Sequence, residues 1–259
     1  MSSELQGRTA VVTGASRGIG LAVVEALAGA GATVVAGSRR TSAALDALVE
    51  AGGVSWVPVD LAEPGAAEHL VEAAGGRIDV LVNNVGSAPV RTGGFLSVTD
   101  QDWQRALELN LLTAVRVTRA ALPLMLAAGR GSVVTVGSVN ATLPDPTVID
   151  YSAGKAALVA FSKALSKEVG PKGIRVNTVS PGPVETDLWL GGDGVAATVS
   201  AAAGIAPEDV VAQVAATTAT GRFSLPAEVA ELVLFLAGDR ARNITGSDLI
   251  IDGGFIPTW

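Results

Sequence analysis

Tyr151 is the only tyrosine in the chain and stands four residues before Lys155. At that separation on a helix both side chains lie on one face. A free phenol ionises near pH ~10, too high for a useful base near neutrality. An ammonium beside it favours the ionised form, so the pair is suited to passing a proton. Ser138 follows the apolar run Ser132 to Val136 and offers a hydroxyl that can donate to a substrate oxygen. Such a set fits a reaction in which a carbon bearing oxygen gains or loses hydride while the oxygen gains or loses a proton. A Lewis-acid metal could serve the same oxygen, but His69 is the only histidine and there is no cysteine. A carboxylate-only cluster suits a hard cation better than catalytic zinc, so no metal is expected. His69, on a helix expected over Pro64 to Ala74, reads as a surface or packing residue.

Hydride chemistry needs a cofactor, and the first strand runs into Thr13-Gly14-Ala15-Ser16-Arg17-Gly18-Ile19-Gly20 before a helix over Leu21 to Ala28. Glycines there allow a sharp turn and let a pyrophosphate reach the backbone. The helix N-terminus presents unpaired N–H groups and its positive dipole end. At the end of the second strand, where selectivity for NAD needs a carboxylate, the chain reads Ser38-Arg39-Arg40, with no acid until Asp46. Guanidinium groups match a 2'-phosphate, so NADP(H) is the expected cofactor, with Arg17 a further candidate for that phosphate.

These residues need a frame that brings distant segments to one edge. Seven short β-branched runs recur: Thr9 to Val12, Thr33 to Ala36, Val54 to Val59, Val80 to Val82, Ser132 to Val136, Ile174 to Val179 and Leu249 to Ile251. They are apolar without polar alternation, which signals burial on both faces, and helical stretches separate them. The expected architecture is α/β: one doubly wound parallel sheet of about seven strands with helices on both faces, forming a single domain over residues 1–259. Further helices are expected over Asp102 to Ala128 and from about Tyr151 to Val169. From Asp187 to about Leu225 no clear strand appears, and this segment is expected to be a substrate loop or lid. Its bias toward Ala, Gly, Thr and Val is also that of an Ala-rich surface helix.

Taken in order, Thr13-Gly14-x-x-x-Gly18-x-Gly20, Asn83-Asn84-Val85-Gly86, Asn110, Ser138, Tyr151-x-x-x-Lys155 and Pro181-Gly182 resemble the short-chain dehydrogenase/reductase family across essentially the whole chain. The resemblance implies that Ser138, thirteen positions before Tyr151, holds the carbonyl while Tyr151 passes the proton. It gives Lys155 a second task on the nicotinamide ribose and Asn110 the organisation of water leading to the lysine. It also implies that Asp60, followed by Leu61, meets the adenine, and that Asn83, Asn84 and Gly86 brace the sheet and border the cofactor. Pro181, Gly182, backbone at Val184 and the Thr186 hydroxyl would hold the carboxamide. Asp60 reads equally well as the N-cap of a helix starting near Glu63.

The motifs resemble most those of 3-oxoacyl thioester reductases, but the segment from Asp187 to Gly221 looks longer and richer in glycine, which leaves acyl-carrier-protein substrates open. Enoyl reductases of this fold separate Tyr and Lys by six residues instead of three. The expected activity is NADP-dependent interconversion of a carbonyl and a secondary alcohol on a neutral or apolar small molecule. An NAD-dependent alcohol or polyol dehydrogenase, or a cofactor-binding protein without chemistry, are the alternatives.

A formal net charge of -7 with scattered Lys and Arg leaves no footprint for nucleic acid. No apolar run of membrane-spanning length and no signal peptide is apparent, so a cytoplasmic protein is expected. The family is commonly tetrameric; a homotetramer or homodimer is expected, with Asp252-Gly253-Gly254-Phe255 resembling the part that packs on a partner.

Overall fold

A computed structural model describes residues 4–257. Its centre is one seven-stranded sheet in the order β3-β2-β1-β4-β5-β6-β7, with every neighbouring pair parallel. The strands are β1 Thr9–Thr13, β2 Thr33–Ser38, β3 Val54–Pro58, β4 Val80–Asn83, β5 Gly131–Val136, β6 Ile174–Pro181 and β7 Asp248–Ile251. All seven expected strands are present, with ends shifted by a residue or two.

Period-two alternation explains why these runs had no polar side. Ala10 and Val12, Val34 and Ala36, and Val80 and Val82 point into one core with Val23, Val24 and Leu27 of α1 (Gly18–Gly29). Val11, Val35 and Leu81 point into the opposite core, with Leu70, Val117 and Met125. Helix α2 (Ala43–Ala51) packs with β3, and α3 is Ala66–Glu72. The segment expected as a helix over Pro64 to Ala74 is therefore shorter: Gly65, in the left-handed region at φ 77°, is the residue from which α3 starts. His69 lies exposed on it, as a surface residue.

The helix expected over Asp102 to Ala128 is three joined pieces: α4 (Asp100–Leu107), a π-helical turn at Glu108–Leu112, and α5 (Thr113–Ala128). A capping box between Thr99 and Asp102 starts α4 two residues earlier than expected. Together the pieces are long and apolar enough, by length and composition, to cross a bilayer, which the strand-by-strand reading of the sequence overlooked. The run nevertheless carries Arg105, Glu108, Arg116 and Arg119, and α5 packs on the sheet through Val117, Ala121 and Met125.

Helix α6 (Ile149–Val169) holds Tyr151 and Lys155 in its first two turns. Beyond β6 come three short helices, α7 (Asp187–Leu190), α8 (Val195–Ala203) and α9 (Pro207–Ala216), before α10 (Pro226–Ala237) returns to the sheet. The strandless segment is thus largely helical, as its Ala-rich composition allowed. It is tethered by an isolated bridge between Val184 and Ser224 and by an edge-on contact of Trp189 with the buried Phe223, centroids 5.2 Å apart.

Candidate active site

Strand order reverses between β1 and β4, because the chain leaves β3 at one edge and returns beside β1. In open α/β sheets the crevice beyond the carboxyl ends of such strands is where ligands bind. A cleft of ≈ 2080 Å³ lies there. It is lined by Gly14, Ser16, Arg17, Gly18, Ile19, Ser38, Arg39, Arg40, Asp60, Leu61, Asn84, Gly86, Ser138, Tyr151, Lys155, Pro181, Gly182, Val184 and Thr186. Of the site residues singled out from the sequence, Asn83, Gly20 and Asn110 sit behind its surface, Asn83 buried with its Nδ2 donating to the Thr118 hydroxyl at 2.9 Å.

Gly20 is behind it because it makes the turn possible. A Cβ there would stand 2.1 Å from the carbonyl oxygen of Gly14, itself at φ 65°. Asn84 bolts the turn to β4, donating from Nδ2 to the carbonyls of Thr13 and Gly14 at 3.1 and 3.2 Å. Its backbone N–H donates to the Thr13 hydroxyl at 2.9 Å, a connection the sequence reading missed because Thr13 looked like a plain strand end. The first turn of α1 carries no acidic residue and no side-chain cap, which leaves its N–H groups open to an anion.

At the end of β2, Arg39 and Arg40 are exposed at the cleft, and among the described residues neither is in a salt bridge. Ser38 is more buried than expected of a ligand: its hydroxyl donates to the Arg40 carbonyl at 2.8 Å and accepts from Trp56 Nε1 at 3.0 Å. That hydroxyl shapes the arginine turn. Arg17, a candidate for the same phosphate, instead pairs with Asp187 at 3.1 Å, across the cleft. Asp60 accepts from the Ala62 N–H at 3.1 Å, so it closes a local turn and does not cap α3.

The opposite part of the cleft holds the candidate proton-handling residues Ser138, Tyr151 and Lys155. Lys155 is buried and donates from Nζ to the Val136 carbonyl at 2.8 Å. Burial lowers its pKa to about 8. The ammonium lies 5.7 Å from the centre of the Tyr151 ring. Burial raises the Tyr151 phenol above its ordinary 10.0, and the nearby Ser138 hydroxyl pulls it part of the way down.

Ser138 carries two tasks. Its hydroxyl accepts from the Asn140 N–H at 3.2 Å and starts the short turn Val139–Ala141, and it sits beside the phenol. Asn110 explains the π-helical turn around it. Nδ2 donates to the Ala106 carbonyl at 3.0 Å and to the Ser87 carbonyl at 2.9 Å, while Oδ1 accepts from the Ser87 N–H at 3.0 Å. This side chain takes up a helical carbonyl and fastens the loop after β4, which compensates a mid-helix Asn. Its direct partners are backbone groups of Ala106 and Ser87. A Cβ on Gly86 would meet Asn110 Oδ1 at 3.0 Å and Lys155 Nζ at 3.2 Å, so glycine there keeps the two side chains close.

Val184 is buried, and Thr186 folds back on it, its N–H donating to the Val184 carbonyl at 2.8 Å. The C-terminal stretch turns inward: Asp252 accepts from the N–H groups of Gly254 and Ile256 at 2.8 Å each, and Phe255 lines this chain's own cleft.

A family model described as Enoyl-(Acyl carrier protein) reductase matches residues 14–256. The chain is also 37% identical to the 3-oxoacyl-[acyl-carrier-protein] reductase FabG of Escherichia coli (strain K12), covering 96% of this chain and 97% of that protein. It belongs to the short-chain dehydrogenase/reductase family. Another member, D-threitol dehydrogenase of Mycolicibacterium smegmatis, is 37% identical over 97% of this chain and 94% of its own. Among solved structures, L-sorbose reductase of Gluconobacter frateurii in complex with NADPH and L-sorbose superimposes with a TM-score of 0.91 at 34% identity, over all of both chains. The family therefore spans thioester, polyol and ketose chemistry at similar distance from this chain. An enoyl reductase is the one reading that its Tyr-x-x-x-Lys spacing disfavours.

Proposed function

We propose that this family member is an NADP-dependent oxidoreductase that interconverts a neutral small-molecule ketone and a secondary alcohol, with Tyr151 as its acid/base. The carrying observation is the convergence of Ser138, Tyr151 and Lys155 in one buried corner of the cleft, on β5 and α6. The cradle fits a dinucleotide: a glycine turn that tolerates no Cβ at Gly20, an uncapped helix N-terminus, and at the end of β2 the exposed guanidinium groups of Arg39 and Arg40, which are in no salt bridge among the described residues. Gly14, Ser16, Gly18 and Ile19 would take the pyrophosphate, Arg39 and Arg40 the 2'-phosphate, and Asp60 and Leu61 the adenine. Pro181, Gly182, Val184 and Thr186 would hold the carboxamide. Bound there, NADPH supplies the hydride.

The protein's own part in reduction is to hold and protonate the substrate oxygen. Ser138 donates to that oxygen and fixes its position. A phenol raised by burial is in its acid form, ready to protonate an oxygen that becomes an alkoxide, a far stronger base. Lys155 then stabilises the phenolate left behind, and it is itself close enough to neutrality to relay a proton. Asn110 holds the Ser87 loop against this corner. The wall beyond is formed by Ala88, Val90, Leu143, Val148, Leu188 and Trp189, which suits an uncharged substrate.

Purified protein would be assayed for NADPH and NADH oxidation against ketoses, neutral ketones, β-keto esters and 3-oxoacyl thioesters, and in reverse against polyols. NADPH-linked turnover that disappears in Tyr151→Phe supports the proposal. Cofactor binding without turnover in either direction would replace it with a non-catalytic role, and turnover with NADH alone would favour the NAD-dependent dehydrogenase.

A further inference from the structure

Arg91 lies in the loop after β4 and sends its guanidinium between two helices. Nε donates to Asp150 Oδ2 at 3.2 Å, and Nη2 bonds the same carboxylate. Nη1 donates to Asp102 Oδ1 at 2.9 Å, in the first turn of α4. The Arg91 N–H donates to the Thr147 carbonyl at 2.7 Å. One side chain thus ties three segments: the 87–94 loop, α4 and the entry of α6. Asp150 is 0% exposed and immediately precedes Tyr151.

Two observations give this arrangement more than a stabilising role. A buried ion pair is often no more stable than apolar residues of the same volume, so stability alone is a poor reason to keep one. Val148 itself provides no capping side chain to α6; the short turn Pro146–Val148 that leads into it is capped by Asp145, which accepts from the Thr147 N–H at 2.7 Å. Asp150 lies in the first turn of α6, from which the Tyr151 side chain leaves, and the guanidinium fork ties that turn to the 87–94 loop and to α4. A displacement of about 1 Å in a catalytic group costs roughly a hundredfold in rate.

We propose that the Arg91–Asp150 pair is a positioning device for Tyr151, holding the first turn of α6 so that the phenol faces Ser138 and the substrate oxygen. The inference rests on the acid/base role proposed above for Tyr151. None of Arg91, Asp150 or Asp102 belongs to the motifs that carry the family resemblance.

The test uses the double variant Arg91→Met/Asp150→Leu, which removes both charges and keeps the volume filled, with Arg91→Lys as a milder second variant that keeps the charge but loses the fork. Three readouts are taken: kcat, NADPH affinity by fluorescence titration, and ionisation of the chain's single tyrosine by ultraviolet difference absorbance. The double variant is expected to bind NADPH within about twofold of the parent while kcat falls ten- to about a hundredfold. The tyrosine titration should shift toward the ordinary ~10 as the freed ring gains solvent. Arg91→Lys should fall between the two and serves alone if the double variant does not fold. A folded variant with parental kcat and an unmoved tyrosine titration overturns the proposal. A lower kcat with an unmoved titration overturns it too, by assigning the pair to the substrate wall. If the parent turns over no carbonyl or alcohol, the functional reading fails, while the titration, which needs no substrate, still decides the positioning role.

Discussion

The two halves of the cleft are built by different means. On the β1–β3 side the binding surface is backbone and exposed charge: the glycine turn, the uncapped start of α1, and the free guanidinium groups of Arg39 and Arg40. On the β4–β6 side the corner is held by largely buried side chains, some behind the cleft surface: Asn110 on the Ser87 backbone, Lys155 on the Val136 carbonyl, Ser138 beside Tyr151, and Arg91 on Asp150. The first half recognises a ligand that brings its own charge and needs only open donors. The second half must set proton affinities, which requires removing water. Exposed recognition and buried catalysis should therefore respond to mutation in separable ways.

The sharpest separation is expected from Tyr151→Phe. Turnover should fall by a factor of about a hundred to ten thousand, with NADPH affinity held within about twofold, measured by steady-state assay and fluorescence titration. Lost NADPH binding in that variant would erase the distinction between the halves.

Lys155→Met should lower turnover by at least about tenfold and also change the pH dependence of stability. The folded pKa of about 8 lies below the ordinary 10.5, so the unfolded chain binds the extra proton between those values. Stability from this group therefore rises as pH increases from about 8 to 10.5, by on the order of 3 kcal/mol. Urea unfolding of parent and variant across that window should show the rise in the parent and its absence in Lys155→Met.

On the other side, Arg39→Ala should raise the KM for NADPH by roughly tenfold or more, as loss of a charge-assisted phosphate contact does, while the KM for NADH barely changes. Equal effects on both would detach this half from NADP.

Gly20→Ala places a methyl group against the Gly14 carbonyl and should cost about 1–3 kcal/mol in thermal unfolding measurements. Gly29→Ala, with nothing within 4 Å, is the control and should stabilise α1 by up to about 1 kcal/mol. The smallest effect is expected from Arg17→Ala: its pair with Asp187 is solvent-exposed, and losing it should shift stability by less than about 1 kcal/mol.

Much of the recognition half was legible because its signals are local. Glycine spacing after a strand, arginines where an acid would favour NAD, and apolar runs buried on both faces each depend on residues adjacent in the chain. The proton-transfer residues were named from their types and order, but their electrostatics were not. Burial of the Tyr151 phenol, which raises its pKa, depends on what encloses the side chain in space. The hydrogen bond of Ser38 with Trp56 and the exposed pair of Arg17 with Asp187 join segments far apart in the chain and had no local signal. The π-helical turn at Asn110 had only one sequence signal, a polar residue in mid-helix.

The sequence by itself determined the sheet, its parallel sense and the glycine turn, and named the candidate cofactor-binding and proton-handling side chains, because period, glycine geometry and side-chain chemistry act over short stretches of chain. Only the tertiary structure decided which of those side chains are dry, which charges pair, and that Arg91 reaches Asp150 across 59 residues. Desolvation and ion pairing depend on what surrounds a group in space, and folding alone sets those surroundings.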